Sequence, residues 1–290
     1  MKPFQYFEPA SVEEAISLSA KYKEEAKVLA GGTDLVVQMM RRMAKPQYII
    51  NIGTIPHLNY IDYDGEKGLK IGASTTIAAL EKSPEIRQRH PVIAQAALTL
   101  GSVAIRNVAT LGGNLCNAAP SADMAPPLLG LSATVKIVGP TGEKTVLLED
   151  FFTGPGSTIL RTGELLIEVQ VPLSPPRTGG VYLKHATRKF MDLAIVGVAA
   201  VITLSSDEVC RDAKIVLGAV APTPIRVQQA EGVIKNKMIN EEKIQECAVV
   251  AAEEASPISD VRASAEYRRE MVKVFTRDAV RRALEVARGA

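Results

Sequence analysis

Cysteine is scarce in this 290-residue chain, and Cys116, Cys210 and Cys247 lie far apart with no CxxC pair. That spacing excludes an iron–sulfur cluster or tetrahedral zinc held by this chain, since both need clustered ligands. It also gives no disulfide framework, which suits a reducing, cytoplasmic location. The three histidines, His57, His90 and His185, are too scattered to suggest a metal site, and no His/carboxylate pairing suggests nucleophilic catalysis. Charge of one sign is also lacking: 34 basic against 32 acidic residues leave a net +2. Nucleic-acid binding, which wants a clear basic excess, is not expected. The longest apolar run, 193–204 (LAIVGVAAVITL), is too short for a membrane span of roughly 20 residues. The opening MKPFQYFEPAS has no charged start followed by an apolar stretch, so no signal peptide is expected. Neither G-x-G-x-x-G nor G-x-x-x-x-G-K-[ST] occurs, which removes the main warrant for Rossmann and P-loop readings.

What is present reads as globular: 47% of residues are hydrophobic and 23% charged. The length suggests about two domains. Ser11 with Glu14 three residues on forms a capping box for a helix over 11–21. A strand over 26–30 precedes a helix over 33–43, with Thr33 as N-cap and Leu35, Val36, Met39, Met40 and Met43 on one face. Strands are predicted over 47–52, 68–73, 132–138 and 164–171, and a helix runs from Pro91 to Leu100 and stops at Gly101. The Pro/Gly-rich stretch 172–180 is the best linker. Beyond it, 181–204 and 211–220 are strand-rich, and 240–255 and 264–287 are helical. The last helix carries a stripe of Met271, Val274, Phe275, Val280 and Leu284. Strands followed by helices suggest a separate small α+β unit.

Two glycine-rich segments stand out: 30–34 (AGGTD) and 110–114 (TLGGN). Glycine pairs allow positive φ and close approach of a ligand to the backbone, where successive N–H groups form an anion-binding concavity. Two such segments, both lacking Lys and Arg, suit main-chain holding of a dinucleotide better than phosphoryl transfer. The GPG at 154–156 reads as a plain turn.

The segments 30–36, 100–127, 164–172, 182–197 and 259–284 together resemble the FAD-binding medium subunit of molybdenum hydroxylases, the carbon monoxide dehydrogenase and xanthine dehydrogenase family. The run from Leu100 to Pro127 is the most diagnostic, and the likeness covers nearly the whole chain. The resemblance implies an α+β fold, with a two-lobed FAD-binding domain of the vanillyl-alcohol-oxidase/p-cresol-methylhydroxylase type over 1–175 (subdomains about 1–55 and 56–175). A small C-terminal domain of antiparallel sheet plus helices would occupy 179–290. It further implies that Val28, Leu29, Ala30, Gly31, Gly32, Thr33, Asp34 and Leu35, with Thr110, Leu111, Gly112, Gly113 and Asn114, clasp the FAD pyrophosphate. Leu100 would lie beside adenine as an apolar contact, Asp123 would be a polar contact, Leu166 would lie against the flavin side and Lys184 would contact FAD. Arg188 and Asp192 fall in a loop near the flavin ring. No catalytic acid or base and no metal ligand is implied in this chain. The implied partners are a large molybdenum-cofactor subunit and a small subunit with two [2Fe–2S] clusters, in a complex expected to be a dimer of heterotrimers. Electrons would pass from the clusters through FAD to an acceptor such as NAD.

Plainer roles stand beside these. Asp34 is expected to face its own helix amides, and Asp123 to act as an early-helix acid of a helix starting near Ser121. Lys184 in isolation reads as a solvated cation, Cys116 as a small buried hydrophobe, and the Met39/Met40/Met43 group as core. The run Arg268, Arg269, Lys273, Arg277, Arg281, Arg282 reads as a solvated helix face. Two other functions stay open: a stand-alone flavin oxidase or dehydrogenase, and a non-redox nucleotide-binding module.

Overall fold

A computed structural model describes residues 1–188 and 191–289. Lys189 and Phe190, within the segment 182–197 above, and Ala290 lie outside the described residues. Three sheets follow one another along the chain. In the first, β1 (Gln5–Phe7) and β2 (Ala26–Leu29) flank β3 (Tyr48–Asn51), all parallel. The connection from β1 to β2 is α1 (Val12–Tyr22), and it starts at the predicted capping box. Ser11 Oγ accepts from the Glu14 amide at 3.2 Å, while the Glu14 carboxylate accepts from the Ala10 amide at 2.8 Å. Ala15 and Ile16 of α1 bury against Ile50 and Ile52.

The helix predicted over 33–43 is shorter. The observed α2 (Leu35–Met40) has Asp34, not Thr33, at its N-cap position. Arg42 sits at φ +60 and the Met43 amide turns back to the Gln38 carbonyl at 2.9 Å, a left-handed cap that stops the helix. One and a half turns bury only Met39. Met40 and Met43 are 67% and 75% exposed, so the methionine group is not core.

The second sheet is antiparallel and comprises β4 (Ile61–Asp64), β5 (Gly68–Gly72), β6 (Thr134–Gly139) and β7 (Gly142–Leu147). After a ribbon of β8 (Phe152–Gly154) and β9 (Ser157–Thr158), closed by the predicted turn, β10 (Leu165–Val171) inserts between β5 and β6. Between β5 and β6 the chain makes six helices: α3 (Ile77–Lys82), α4 (Pro84–Arg89), α5 (Pro91–Thr99), α6 (Val103–Arg106), α7 (Leu111–Asn117) and α8 (Ala125–Gly130). They share one core with the sheet, in which Ile71, Ile93, Leu111, Leu128 and Val169 are fully or almost fully buried.

The third sheet, β11 (Thr178–His185), β12 (Val196–Leu204), β13 (Cys210–Gly218) and β14 (Ile225–Arg226), is antiparallel in that order. It is followed by α9 (Gln228–Ile234), α10 (Glu241–Glu254) and α11 (Ala265–Gly289). Every residue of β12 is buried. Val198, Ala200 and Ile202 face the core of α9–α11, while Ala199 and Val201 face the core that holds α5 and α8. A strand covered on both faces reads as an unbroken apolar run, which accounts for 193–204.

The stripe on α11 is also displaced from the one predicted. Val272, Thr276, Ala279, Val280, Ala283, Leu284 and Ala287 are buried, whereas Met271 and Phe275 pack at its margin. Arg268 is not part of a solvated face: it is 3% exposed and donates to the carbonyls of Ile195 and Ala219 and to Asp260. Those carbonyls belong to strand ends that the sheet leaves unpaired, and a guanidinium can satisfy several acceptors at once.

Candidate functional site

The three sheets leave a cleft of about 860 Å³. Its walls are the end of β2 with the loop after it, the start of α7, and the stretch from Ala119 to Asp123. Leu165 and Leu166 of β10 also line it, as do Arg188, Met191, Asp192, Leu193 and Arg262. All the residues that the resemblance implies for the FAD site line this cleft except Leu111 and Lys184. The two glycine segments, far apart in sequence, meet across it.

The first segment is built to offer amides. Gly32 adopts φ +73, a conformation that costs glycine nothing. Gly31 presses on the neighbouring chain so closely that a Cβ there would lie 1.9 Å from the Val108 carbonyl oxygen. Among the described residues, the N–H groups of Gly31, Gly32, Thr33, Asp34 and Leu35 meet no acceptor. Successive amides left without an acceptor on a glycine turn are suited to an anion. Asp34 does not cap α2 as expected. Its φ/ψ of −101/−53 is helical, so the carboxylate cannot fold back on the helix amides, and its contact is the Thr33 hydroxyl at 3.5 Å.

The second segment differs, because its glycines are the first turn of α7. Thr110 is the N-cap, its hydroxyl accepting from the Gly113 amide at 3.1 Å. The amides of Leu111, Gly112 and Asn114 go to the carbonyls of Thr75, Ala73 and Thr110. Among the described residues only the Thr110 amide of this segment meets no acceptor, so the glycine amides here do not form a second open cradle like the first. Gly112 is instead a spacer: a Cβ would lie 2.8 Å from both the Ala73 Cβ and its carbonyl oxygen. Leu111 turns away into the core. What this wall presents is the amide side chain of Asn114, whose Oδ1 is buried with no hydrogen-bond partner among the described residues. A native buried polar atom in that state marks a place where a ligand or water completes the bonding.

Asp123 precedes α8, which starts at Ala125 rather than near Ser121, so it is not a first-turn acid. Its Oδ2 accepts from Lys184 Nζ at 2.7 Å and its Oδ1 from the Tyr182 hydroxyl at 2.9 Å. Lys184 also donates to the Thr99 carbonyl at 3.1 Å. It is therefore neither a solvated cation nor a cleft-lining group, but a buried cation behind Asp123. Burial pushes the Asp123 carboxyl up, with Lys184 and Tyr182 opposing it, and burial beside Asp123 drives the Tyr182 phenol well above its usual range. Burial likewise pushes the Cys116 thiol up to about 12, so this cleft-lining cysteine stays protonated. Asp192, also lining the cleft, accepts from the amides of Arg188 and Leu193. Burial raises its carboxyl, but these amide bonds outweigh that and hold it below the ordinary carboxylate range.

Sequence reasoning missed Tyr182, Glu164 and Arg262. Tyr182 carried an available signal: it stands two residues before Lys184 on a predicted strand, hence on the same face. Arg262 and Glu164 come from the ends of loops, with nothing in the local pattern to show that they reach the cleft.

Known proteins resemble this chain along nearly its whole length. The family model described as the FAD binding domain in molybdopterin dehydrogenase matches residues 2–174, and that of the CO dehydrogenase flavoprotein C-terminal domain matches 181–283. A xanthine dehydrogenase FAD-binding subunit of Escherichia coli is 34% identical, over 98% of this chain and 97% of its own length. The carbon monoxide dehydrogenase medium chain of Afipia carboxidovorans is also 34% identical, over 97% of this chain and 96% of its own. The structure of reconstituted CO dehydrogenase from Oligotropha carboxidovorans superposes with a TM-score of 0.94 at 33% identity, covering 99% of this chain and 100% of that one. A cleft with unpaired loop amides on one wall and a buried, unpartnered amide side chain on the other is thus found in a chain that belongs to the FAD-binding subunits of the molybdopterin dehydrogenases, an oxidoreductase family, with FAD as its cofactor.

Proposed function

We propose that this chain is the electron-carrying flavoprotein of a molybdenum hydroxylase complex, taking electrons from [2Fe–2S] clusters on a small partner and passing them to an acceptor such as NAD. The observation that carries this reading is the run of five unpaired amides in Gly31–Leu35, which fits the FAD diphosphate without any cation. Asn114 lines the same cleft, and Gly31 and Gly112 let the chain pack closely on Val108 and Ala73 beside it. Bound FAD supplies the redox chemistry; the polypeptide supplies position and field. Leu100, Leu165 and Leu166 give the cleft apolar surface suited to a ring system, and Arg188 and Asp192, which also line it, are where we propose an acceptor approaches.

The clusters would belong to a partner, because Cys116, Cys210 and Cys247 are separate and mostly buried. Substrate choice would sit on the large molybdenum-cofactor chain. Support comes from the relatives: subunits named for carbon monoxide and for xanthine share about a third of their residues with this chain along its whole length. Two copies of such a heterotrimer make the assembly proposed. The division into a FAD-binding unit over 1–175 and a C-terminal unit over 179–290 is the domain boundary we propose, with a cytoplasmic location. Among the described residues, no helix is long and apolar enough to cross a membrane.

The test is to purify the chain alone and co-expressed with its partner chains, then record the visible spectrum, released FAD, iron and molybdenum. One FAD per chain, with iron and molybdenum appearing only alongside the partners, is expected. Reduction of the flavin should then follow reduction of the clusters. Steady turnover of a small substrate by the isolated chain would overturn the proposal.

A further inference from the structure

We propose that Tyr182 and Lys184 are positioning residues that hold the Asp123 carboxylate as an anion on the cleft wall, where it accepts from a hydroxyl or N–H of the flavin cofactor. This rests on the cleft being the FAD site. The argument starts from β11, on which residues two apart share a face. Tyr182 and Lys184 therefore reach the same carboxylate, one on each oxygen, at 2.9 and 2.7 Å. Both are buried, as is Asp123, and only Asp123 of the three lines the cleft. The strand is tied down independently: the Tyr182 amide donates to Gln95 Oε1 at 3.0 Å and Lys184 Nζ to the Thr99 carbonyl, both on α5.

The neighbouring strand makes room for the arrangement. Gly197 lies opposite Lys184 in the register, and a Cβ there would be 2.8 Å from the Tyr182 hydroxyl. Glycine is not needed for its φ at this position; it is needed for space. An ionised carboxylate repels a diphosphate, so the Asp123 end of the cleft takes donors, while the 31–35 amides at the other wall take the anion. Among the described residues, the groups that act on Asp123 are Lys184 and Tyr182 from β11; α5 presents the uncharged Gln95 amide and Thr99 carbonyl nearby. The C-terminal sheet thus reaches the cofactor through one carboxylate.

The experiment is FAD titration of the full-length apo chain from pH 5 to 9, for wild type, Tyr182→Phe, Gly197→Ala, Lys184→Arg and Lys184→Met. Tyr182→Phe removes one donor to the anion and should weaken FAD about tenfold at pH 7. It should also move the acid limb of the binding profile up by about one pH unit, because the acid form of Asp123 gains. Gly197→Ala, which keeps the phenol but displaces it, should do the same to a smaller degree. Lys184→Arg should bind FAD near the wild-type level and Lys184→Met should not. An unchanged affinity and acid limb in both Tyr182→Phe and Gly197→Ala would overturn the assignment, as would weakening equal at every pH, the sign of mere packing loss. Wild-type chain that takes up no FAD would instead defeat the flavin-site reading, and this inference with it.

Discussion

Gly31→Ala and Gly32→Ala separate what the first loop does for the fold from what it does for FAD. At Gly31 the added Cβ would meet backbone: Val108 O at 1.9 Å, Val108 C at 2.7 Å and Ala109 Cα at 2.9 Å. Neither strand of chain can yield without the loop lifting off α6 and α7, so overpacking of about 1–3 kcal/mol is expected, with the five amides moved. At Gly32 the Cβ would meet only the ends of Leu29 and Val36, at 3.1 and 3.2 Å, which shift easily. The cost there is the left-handed backbone, φ +73, about 1–2 kcal/mol for alanine. A hydrogen bond to a charged acceptor is worth about 1.5–3 kcal/mol, so losing even one amide from the diphosphate weakens FAD tenfold or more. The assay is urea unfolding of each apo variant together with titration of FAD and of ADP, which shares the diphosphate but has no flavin. Gly31→Ala should lose both stability and affinity; Gly32→Ala should lose about 1–2 kcal/mol of stability and weaken FAD and ADP by similar factors. FAD weakened with ADP unaffected would refute the placing of the diphosphate at this loop, and so would full affinity in both variants.

Other expectations follow from single features. His90 is 3% exposed with neither ring nitrogen partnered among the described residues, and burial, aided by Arg89, lowers it to about 4 from 6.5. Between those values the unfolded chain binds the extra proton, so stability should fall as pH drops from 6.5 towards 4, by up to about 3 kcal/mol. Urea midpoints across that range should show the loss, and His90→Phe should flatten it; an equal slope in the variant would clear His90 of the effect. Arg268→Leu strands two buried carbonyls and the Asp260 carboxylate and should destabilise by about 3 kcal/mol, whereas Arg269→Leu on the outer face should change little. Equal effects in thermal melts would contradict the burial pattern of α11. Met39→Ala should cost at least about 2 kcal/mol, while Met40→Gln and Met43→Gln stay within about 0.5 kcal/mol in the isolated chain, as unfolding curves would register.

Which features could be read from the sequence, and which could not, follows from the range of the interactions that fix them. The Ser11/Glu14 box, the stop of α5 at Gly101 and the turn at 154–156 depend on residues within four positions of each other, and each was legible. The ends of α2 were not, because the left-handed Arg42 takes a place where glycine is the usual signal. Strand alternation was also hidden where both faces are buried. In β12 the even residues serve one core and the odd residues another, so no polar position breaks the run. At the site, both glycine pairs were visible, yet they do different work. The pair at 31–32 leaves its amides open. The pair at 112–113 lies under Thr110 and against Ala73, whose acceptors take the amides, and that contact joins residues 39 positions apart. Sequence spacing shows where backbone can come close to a ligand; only the fold shows whether its N–H groups remain unpaired there. The same holds for Lys184. Its charge was evident, but its bonds to Asp123 and the Thr99 carbonyl come from α5 and β11 packing together, which no local spacing shows.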